Sequence, residues 1–275
     1  MYHIRGLLRR AVSRCNHFVM NSPLRNIVII PTYNEAENIS PLIERILQLD
    51  EDVDILIIDD NSPDGTGDVV DDISQRDERV QVIHRKAKLG LGTAYTTGFI
   101  RALEQGYDRI MTMDADFSHN PRYIPALMRL TDDYDLAIGS RYVPGGGVRL
   151  WGVHRRLLSR GANLFARSIL GLHAHDCTAG FRCYRASVLE TIDPCSIKAD
   201  GYSYLLEMLW RVQNAGFSIA ETPIVFTDRR RGASKISQRE IIHAAGTVLR
   251  LAFNAPPVPG PRQKSNQQPL QPLDQ

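Results

Sequence analysis

Asn26–Pro31 (NIVIIP) is a short continuous apolar run, and similar runs return at Asp54–Asp59 (DILIID), Val80–His84, Arg109–Met113 and Asp135–Gly139. Short apolar runs bounded by turn residues predict buried strands. Between them, apolar positions recur at helical spacing and predict helices over Asn38–Leu49, Thr66–Arg76, Gly92–Gln105 and Pro121–Leu130. Pro121 suits the first turn of its helix, where a missing N–H removes no bond. Strands alternating with helices predict an α/β fold, a Rossmann-like and mostly parallel sheet with helices on both faces. Ligands of such sheets bind at the carboxyl ends of the strands. Pro31, Asp59–Asp60, Asp114–Asp116 and Ser140–Arg141 all fall there.

Past Arg141 the alternation changes. Val143–Gly152 reads as a Gly-rich loop, His154–Leu170 as an Arg-bearing helix and Thr178–Tyr184 as a short strand. Tyr202–Asn214 predicts a helix, Ile219–Phe226 a strand, Asp228–Lys235 a basic loop and Ser237–Phe253 a final helix. Residues 254–275 are rich in Pro and Gln and are expected to be disordered. At the other end, Ile4, Leu7, Leu8, Ala11, Val12, Cys15, Phe18 and Val19 form one helical stripe flanked by arginines. Residues 1–22 thus predict a basic amphipathic helix. It suits a membrane-surface anchor, a helix packed on the domain, or an organelle transit peptide, and Met20 offers an alternative start. The expected organisation is this helix, one catalytic-sized domain over 23–253, and the tail.

Composition narrows the class. The 275 residues are 43% hydrophobic with a net charge of +2, so a sizeable core can form and no global field favours nucleic acid. Cys15, Cys177, Cys183 and Cys195 show no CxxC pairing and read as reduced thiols in a cytosolic setting. No apolar run reaches the ~18 residues of a membrane span.

The chemistry centres on Asp114-Ala115-Asp116, which follows the strand RIMTM. Alternate residues of an extended segment point the same way, so the two carboxylates suit a hard divalent cation, Mg²⁺ or Mn²⁺, shared with substrate phosphates. Asp59-Asp60 ends a strand before the turn Asn61-Ser62-Pro63-Asp64-Gly65-Thr66, and one Asp suits a base or ribose hydroxyl. Leu89-Gly90-Leu91-Gly92-Thr93 lacks the Gly-Lys-Ser/Thr of a P-loop. A second, cationic set comprises Arg141, Arg155, Arg156, Arg160, Arg229–Arg231 and Lys235; Arg forks match phosphates, although most of the set reads as surface charge. His173-x-His175-Asp176 reads as a loop rather than a metal site.

Five segments taken in order resemble the family 2 glycosyltransferases of the GT-A fold. They are Pro31-Thr32-Tyr33-Asn34-Glu35, Ile57 to Thr66 (IIDDNSPDGT), Lys88 to Tyr95 (KLGLGTAY), Met113-Asp114-Ala115-Asp116 and Gly139-Ser140-Arg141-Tyr142. Ser159-Arg160-Gly161-Ala162-Asn163, Thr178-Ala179-Gly180-Phe181-Arg182, Pro223-Ile224-Val225-Phe226 and Gly232-Ala233-Ser234-Lys235 are similar to dolichyl- and polyprenyl-phosphate mannose synthases. The resemblance spans about residues 26–252 and implies a GT-A sheet with a C-terminal extension on the acceptor side. It implies metal-dependent, inverting transfer of mannose from GDP-mannose to dolichyl or polyprenyl phosphate. By position, Pro31, Tyr33, Glu35, Ile58 and Asp60 would contact the guanosine. Asp114 and Asp116 would hold the cation, with Ala115 beside the diphosphate and Ser118 where some relatives place a third ligand. Arg141, Arg155 and Ser159 would receive the acceptor phosphate, and Arg229 and Lys235 would close over the donor, which Arg141 also borders. Asp114, Asp116 and Arg141 are the expected catalytic residues. Relatives often carry Ser-Lys-Gly-Tyr where Ala199-Asp200-Gly201-Tyr202 stands, so a phosphate contact there is not expected. The resemblance further implies a protein peripheral on the cytosolic face of a membrane, held by residues 1–20 or by a small membrane-anchoring partner subunit. Transfer of another sugar, such as glucose from UDP-glucose, and a non-catalytic nucleotide-sugar-binding module are the competing readings.

Overall fold

A computed structural model describes residues 23–197, 199, 201–228, 238–255, 258 and 260, with 238–242 by backbone alone. The N-terminal amphipathic segment, Asp200, the basic loop from Arg229 through Lys235, and most of the tail lie outside the described residues.

The first half follows the predicted alternation. Strands β1 (Asn26–Thr32), β2 (Asp54–Asp59), β3 (Val80–His84), β4 (Arg109–Thr112) and β5 (Leu136–Ser140) are interleaved with helices α1 (Ala36–Leu47), α2 (Thr66–Ser74), α3 (Leu91–Glu104) and α4 (Ile124–Asp133). A 3₁₀ turn at Pro121–Tyr123 precedes α4, so the helix predicted from Pro121 begins as a tighter coil. The second half contains β6 (Gly147–Arg149), α5 (Val153–Leu170), β7 (Arg182–Arg185), α6 (Ala186–Ile192), α7 (Gly201–Asn214), β8 (Ile219–Pro223), β9 (Val225–Thr227) and α8 (Gln238–Phe253).

The main sheet has the order β3-β2-β1-β4-β7-β5-β8, and β7 is its antiparallel member. The chain steps outward from β1 to β2 and β3, then crosses to β4 on the other side. That reversal opens a crevice at the strand ends. Alternation along β1 divides two cores. Ile27 and Ile29 face α3, α6 and α7, whereas Val28 and Ile30 face α1, α2 and α4. β6 and β9 pair in parallel as a separate small sheet.

Three predictions of the second half need correction. The strand expected over Thr178–Tyr184 begins only at Arg182, and residues 178–181 instead form a loop. The strand expected over Ile219–Phe226 divides at Ile224, whose N–H turns to the Ser140 carbonyl at 3.0 Å. The loop expected over Val143–Gly152 contains β6. In the tail expected to be disordered, Val258 packs against the core.

Close packing of α3 on β1 depends on Gly98, because a Cβ there would stand 2.6 Å from Cγ2 of Ile29. Gly98→Ala is expected to lower stability by about 1–3 kcal/mol through overpacking, despite its better helix propensity, as read from the urea midpoint.

Candidate active site

The strand ends meet at a cavity of about 430 Å³. Its wall includes Pro31 near the end of β1 with Tyr33 and Glu35 after it, Asp60 after β2, Asp114, Ala115 and Asp116 after β4, and Arg141 after β5. Residues predicted from four strand ends are thus brought together.

The first two loops are stitched to each other. Asp59, 2% exposed, accepts hydrogen bonds from the hydroxyls of Thr32 (3.1 Å) and Ser62 (2.5 Å). The N–H groups of Asn34, Glu35 and Ala36 donate to Ser62 Oγ, Thr66 Oγ1 and Asp64 Oδ2. The Ser-Pro-Asp-Gly turn therefore holds the loop that carries Tyr33 and Glu35. Asn34 and Asn61 adopt φ of 60° and 57°, a left-handed conformation that Asn tolerates. Of the two adjacent carboxylates, Asp59 is built into this scaffold and Asp60 faces the cavity.

Asp60 is held by Arg85, a residue the motif reading passed over. Arg85 Nε donates to Asp60 Oδ1 at 2.5 Å, and the same guanidinium reaches Thr93 Oγ1 at 2.7 Å and the Gly90 carbonyl at 3.1 Å. The Leu-Gly-Leu-Gly turn and the β2 carboxylate are thereby one unit. Lys88, also in the cavity wall, sits 3.9 Å above the Tyr33 ring, within cation–π range.

After Asp116 the chain turns sharply at Phe117, whose φ is 60°. This folds the Ser118 N–H back onto Asp116 Oδ1 at 3.0 Å. Ser118 is 1% exposed and outside the cavity wall, and its Oγ has no hydrogen-bond partner among the described residues. His119 is another residue missed from sequence, and it does line the cavity. Its Nδ1 accepts the Asp114 N–H at 3.1 Å, so the ring proton belongs on Nε2. The ring stacks on Phe181 at 5.1 Å and meets Phe226 edge-on at 5.5 Å. Burial lowers the imidazole pKa and outweighs the opposing pull of Asp114 and Asp116, leaving a neutral ring behind the carboxylate pair. Tyr95, also fully buried, donates to Asp114 Oδ1 at 3.5 Å, and burial together with the Asp114 charge raises its phenol pKa well above the usual value.

Two carboxylates from alternate positions, without a third acidic or imidazole ligand gathered among the described residues, make a hard-oxygen but incomplete donor set. That set fits a divalent cation completed by phosphate oxygens and water, the usual habit of Mg²⁺ and its analogues.

The cationic wall differs from expectation. Arg141 borders the cavity, but its Nε and Nη2 each contact Asp176 at 2.7 Å, and Nη2 also reaches Thr178 Oγ1 at 2.9 Å. Its fork is therefore engaged within the protein, and a bidentate grip on phosphate is not available in this arrangement. Burial works against both charges, yet the pair prevails: the Arg141 pKa is raised and that of Asp176 lowered. Arg155 remains in the wall, paired with Asp228 at 2.6 Å and lying 4.2 Å from the Trp151 ring. Its Nε is buried without a hydrogen-bond partner among the described residues. Ser159 is bonded to the Tyr142 hydroxyl at 2.6 Å and lies outside the wall. Ile58 is likewise absent from the wall, being fully buried in the core. His175 pairs with Glu221 at 2.8 Å and Asp176 with Arg141, so these two residues are committed within the protein. Burial pushes the thiols of Cys177 and Cys183 up to about 12, which makes them inert packing groups.

Residues 27–193 match the family described as Glycosyl transferase family 2. The chain belongs to this family. Among curated relatives, the polyprenol monophosphomannose synthase of Mycolicibacterium smegmatis is 48% identical over 80% of this chain and 84% of its own length. The undecaprenyl-phosphate mannosyltransferase of Micrococcus luteus is 43% identical over 84% of this chain and 96% of its own. Solved glycosyltransferases share the fold. A glucosyl-3-phosphoglycerate synthase from Mycobacterium tuberculosis, in complex with Mn²⁺, UDP-glucose and glycerol 3-phosphate, aligns with a TM-score of 0.60 and 21% identity over 85% of this chain and 82% of that one. A mannosyltransferase from Pyrobaculum calidifontis, in complex with GDP-mannose and Mn²⁺, aligns with a TM-score of 0.57 and 15% identity over 87% and 67%. As a family 2 glycosyltransferase, the chain presents the expected GT-A architecture, and among its described residues no helix is long and apolar enough to cross a membrane.

Proposed function

We propose that this glycosyltransferase moves mannose from GDP-mannose to a polyprenyl phosphate, giving a polyprenyl phosphate-linked mannose. The observation that carries the reading is the single cavity in which Asp114 and Asp116 face the same space as Tyr33, Asp60 and Arg155. The names of the curated relatives supply the sugar and the acceptor class. The part of the cavity lined by Tyr33, Lys88 and the Arg85-held Asp60 suits the guanosine. Asp114 and Asp116 hold the divalent cation, which supplies Lewis-acid stabilisation of the departing diphosphate. Arg155 receives the acceptor phosphate, while Arg141, neutralised by Asp176, positions the wall beside it.

A phosphate monoester has a second pKa of about 6, so at neutral pH its oxygen is already an anionic nucleophile. Transfer then needs no general base. The protein's tasks are to align the two phosphates and to screen their repulsion. Attack in line with the departing GDP inverts the anomeric carbon.

A donor screen with labelled sugars tests this. Transfer from GDP-mannose to a short-chain, water-soluble prenyl phosphate, abolished by excess chelator, is expected. Transfer from UDP-glucose but not GDP-mannose would overturn the mannose assignment. Within the donor site, Arg85→Gln releases Asp60 and the glycine turn together. The KM for GDP-mannose is expected to rise about tenfold, with kcat changed less than about threefold, since charge-assisted bonds of ground-state binding are lost.

A further inference from the structure

One ring nitrogen of His119 is committed to the protein and the other is not. Nδ1 accepts the Asp114 N–H at 3.1 Å, so the ring proton sits on Nε2, which is therefore a donor. Among the described residues Nε2 meets no acceptor. The rest of the ring is enclosed. Phe181 stacks on it at 5.1 Å, and Phe226 meets it edge-to-face at 5.5 Å. The side chain is 3% exposed and borders the cavity. A polar group at a nearly closed wall requires an acceptor, and here the cavity's occupant can supply it.

Gly180, also in the wall, stands beside this edge of the ring. A Cβ at Gly180 would lie 3.5 Å from His119 Cε1, 3.6 Å from Asp114 Oδ1 and 3.6 Å from the Tyr95 hydroxyl. These are ordinary van der Waals separations, so a methyl group fits. The glycine instead leaves open a space about one heavy atom wide where the three groups converge. The space is fixed by its backing. The Gly180 carbonyl accepts the Thr112 hydroxyl at 2.7 Å, and those of Ala179 and Cys177 accept from the buried Arg182 at 2.8 and 3.0 Å.

The chemistry of that space is mixed. The imidazole offers a proton, whereas the Asp114 carboxylate accepts one, as it does from Tyr95 at 3.5 Å. A ligand hydroxyl satisfies both, because it accepts and donates at once. A phosphate oxygen has no proton for Asp114 Oδ1, and an apolar group pairs with neither.

We propose that His119 is a specificity-determining residue that reads a hydroxyl of the transferred hexose. Nε2 donates to that hydroxyl and Asp114 Oδ1 accepts from it, in the space that Gly180 leaves open. This rests on the sugar-nucleotide reading of the cavity, and it names the residues that tell the sugar from the bare nucleotide.

The test titrates the full chain with GDP-mannose and with GDP by calorimetry, in Mn²⁺ and without acceptor, so that the difference isolates the sugar. His119→Asn puts an amide oxygen near the place of Nδ1, keeping an acceptor for the Asp114 N–H while removing the Nε2 donor. Its affinity for GDP-mannose is expected to fall about tenfold, with that for GDP within about twofold of wild type. Gly180→Ala fills the space and leaves His119 in place. The same pattern is expected from it, with a wild-type thermal midpoint, since the added methyl has no contact shorter than 3.5 Å. An equal loss of GDP and GDP-mannose affinity would assign His119 to the diphosphate and its cation, and overturns the proposal. So does wild-type affinity for GDP-mannose in either variant. Should His119→Asn fail to fold, Gly180→Ala decides by the same comparison. If wild type binds UDP and UDP-glucose but neither guanosine ligand, the mannose reading fails, and the uridine pair then judges the hydroxyl subsite by the same difference.

Discussion

Asp116→Ala is expected to lower mannosyl transfer by on the order of a thousandfold, the scale seen when a charge-stabilising group aimed at the reacting centre is removed. Asp116 stands in the cavity wall beside Asp114, and the donor set they form has no third carboxylate among the described residues to compensate. The structural consequence should be small by comparison. Asp116 accepts the Ser118 N–H at 3.0 Å, and losing such a bond costs about 1 kcal/mol. The experiment pairs turnover of labelled GDP-mannose with a urea melt. A folded variant with near-zero turnover agrees with the metal role. Full turnover in the variant, or in wild type under excess chelator, would count against it.

Asp176→Ala is expected to lower stability by about 3–5 kcal/mol, the range for removing one member of a buried ion pair. Asp176 is fully buried and receives three donors from Arg141: its backbone N–H at 3.0 Å, and Nε and Nη2 at 2.7 Å each. Without it a buried guanidinium beside the cavity loses its counter-charge. Activity should fall as well, because the wall after β5 is then unanchored. The pH dependence carries a distinct signature. Burial alone would raise the Asp176 pKa, but Arg141 wins and the folded value lies below the ordinary one. A depressed carboxyl pKa stabilises the fold above the unfolded value of about 3.9, and this contribution is lost as pH falls through the folded value. Wild-type stability should therefore drop more steeply below about pH 4 than that of Asp176→Ala. Parallel acid limbs would show that the pair does not titrate with unfolding.

The first five strands could be read from the chain because parallel strands buried on both faces carry continuous apolar runs, and Ile27 to Ile30 are fully buried. The carboxylate pair was legible for a related reason, since spacing and strand-end position are local properties. β7 was misplaced because its residues, Arg-Cys-Tyr-Arg, do not look like an interior strand. Arg182 is nonetheless fully buried, with its donors satisfied by the carbonyls of Ala179, Leu205 and Cys177 and the Tyr184 hydroxyl. Such partners come from three separate segments and leave no periodic trace. His119 had a local signal that went unused, an imidazole three residues past the second carboxylate. Arg85 had none, because its partners at Asp60, Gly90 and Thr93 are assembled only by the β2–β3 and α3 packing.

From the amino-acid sequence alone, the α/β alternation, the family resemblance and the pairing of Asp114 with Asp116 at a strand end were legible. Each depends on neighbours along the chain, where strand and turn preferences act. Only the tertiary structure decided which charges face the cavity. It turned Asp60 toward the cavity and Asp59 inward, paired Arg141 with Asp176 across 35 residues, and left the apolar side of α5 outward. An arginine fork or an apolar stripe has the same sequence whether it meets protein, phosphate or lipid. Its partner is chosen by which surfaces the fold brings together and which it leaves uncovered.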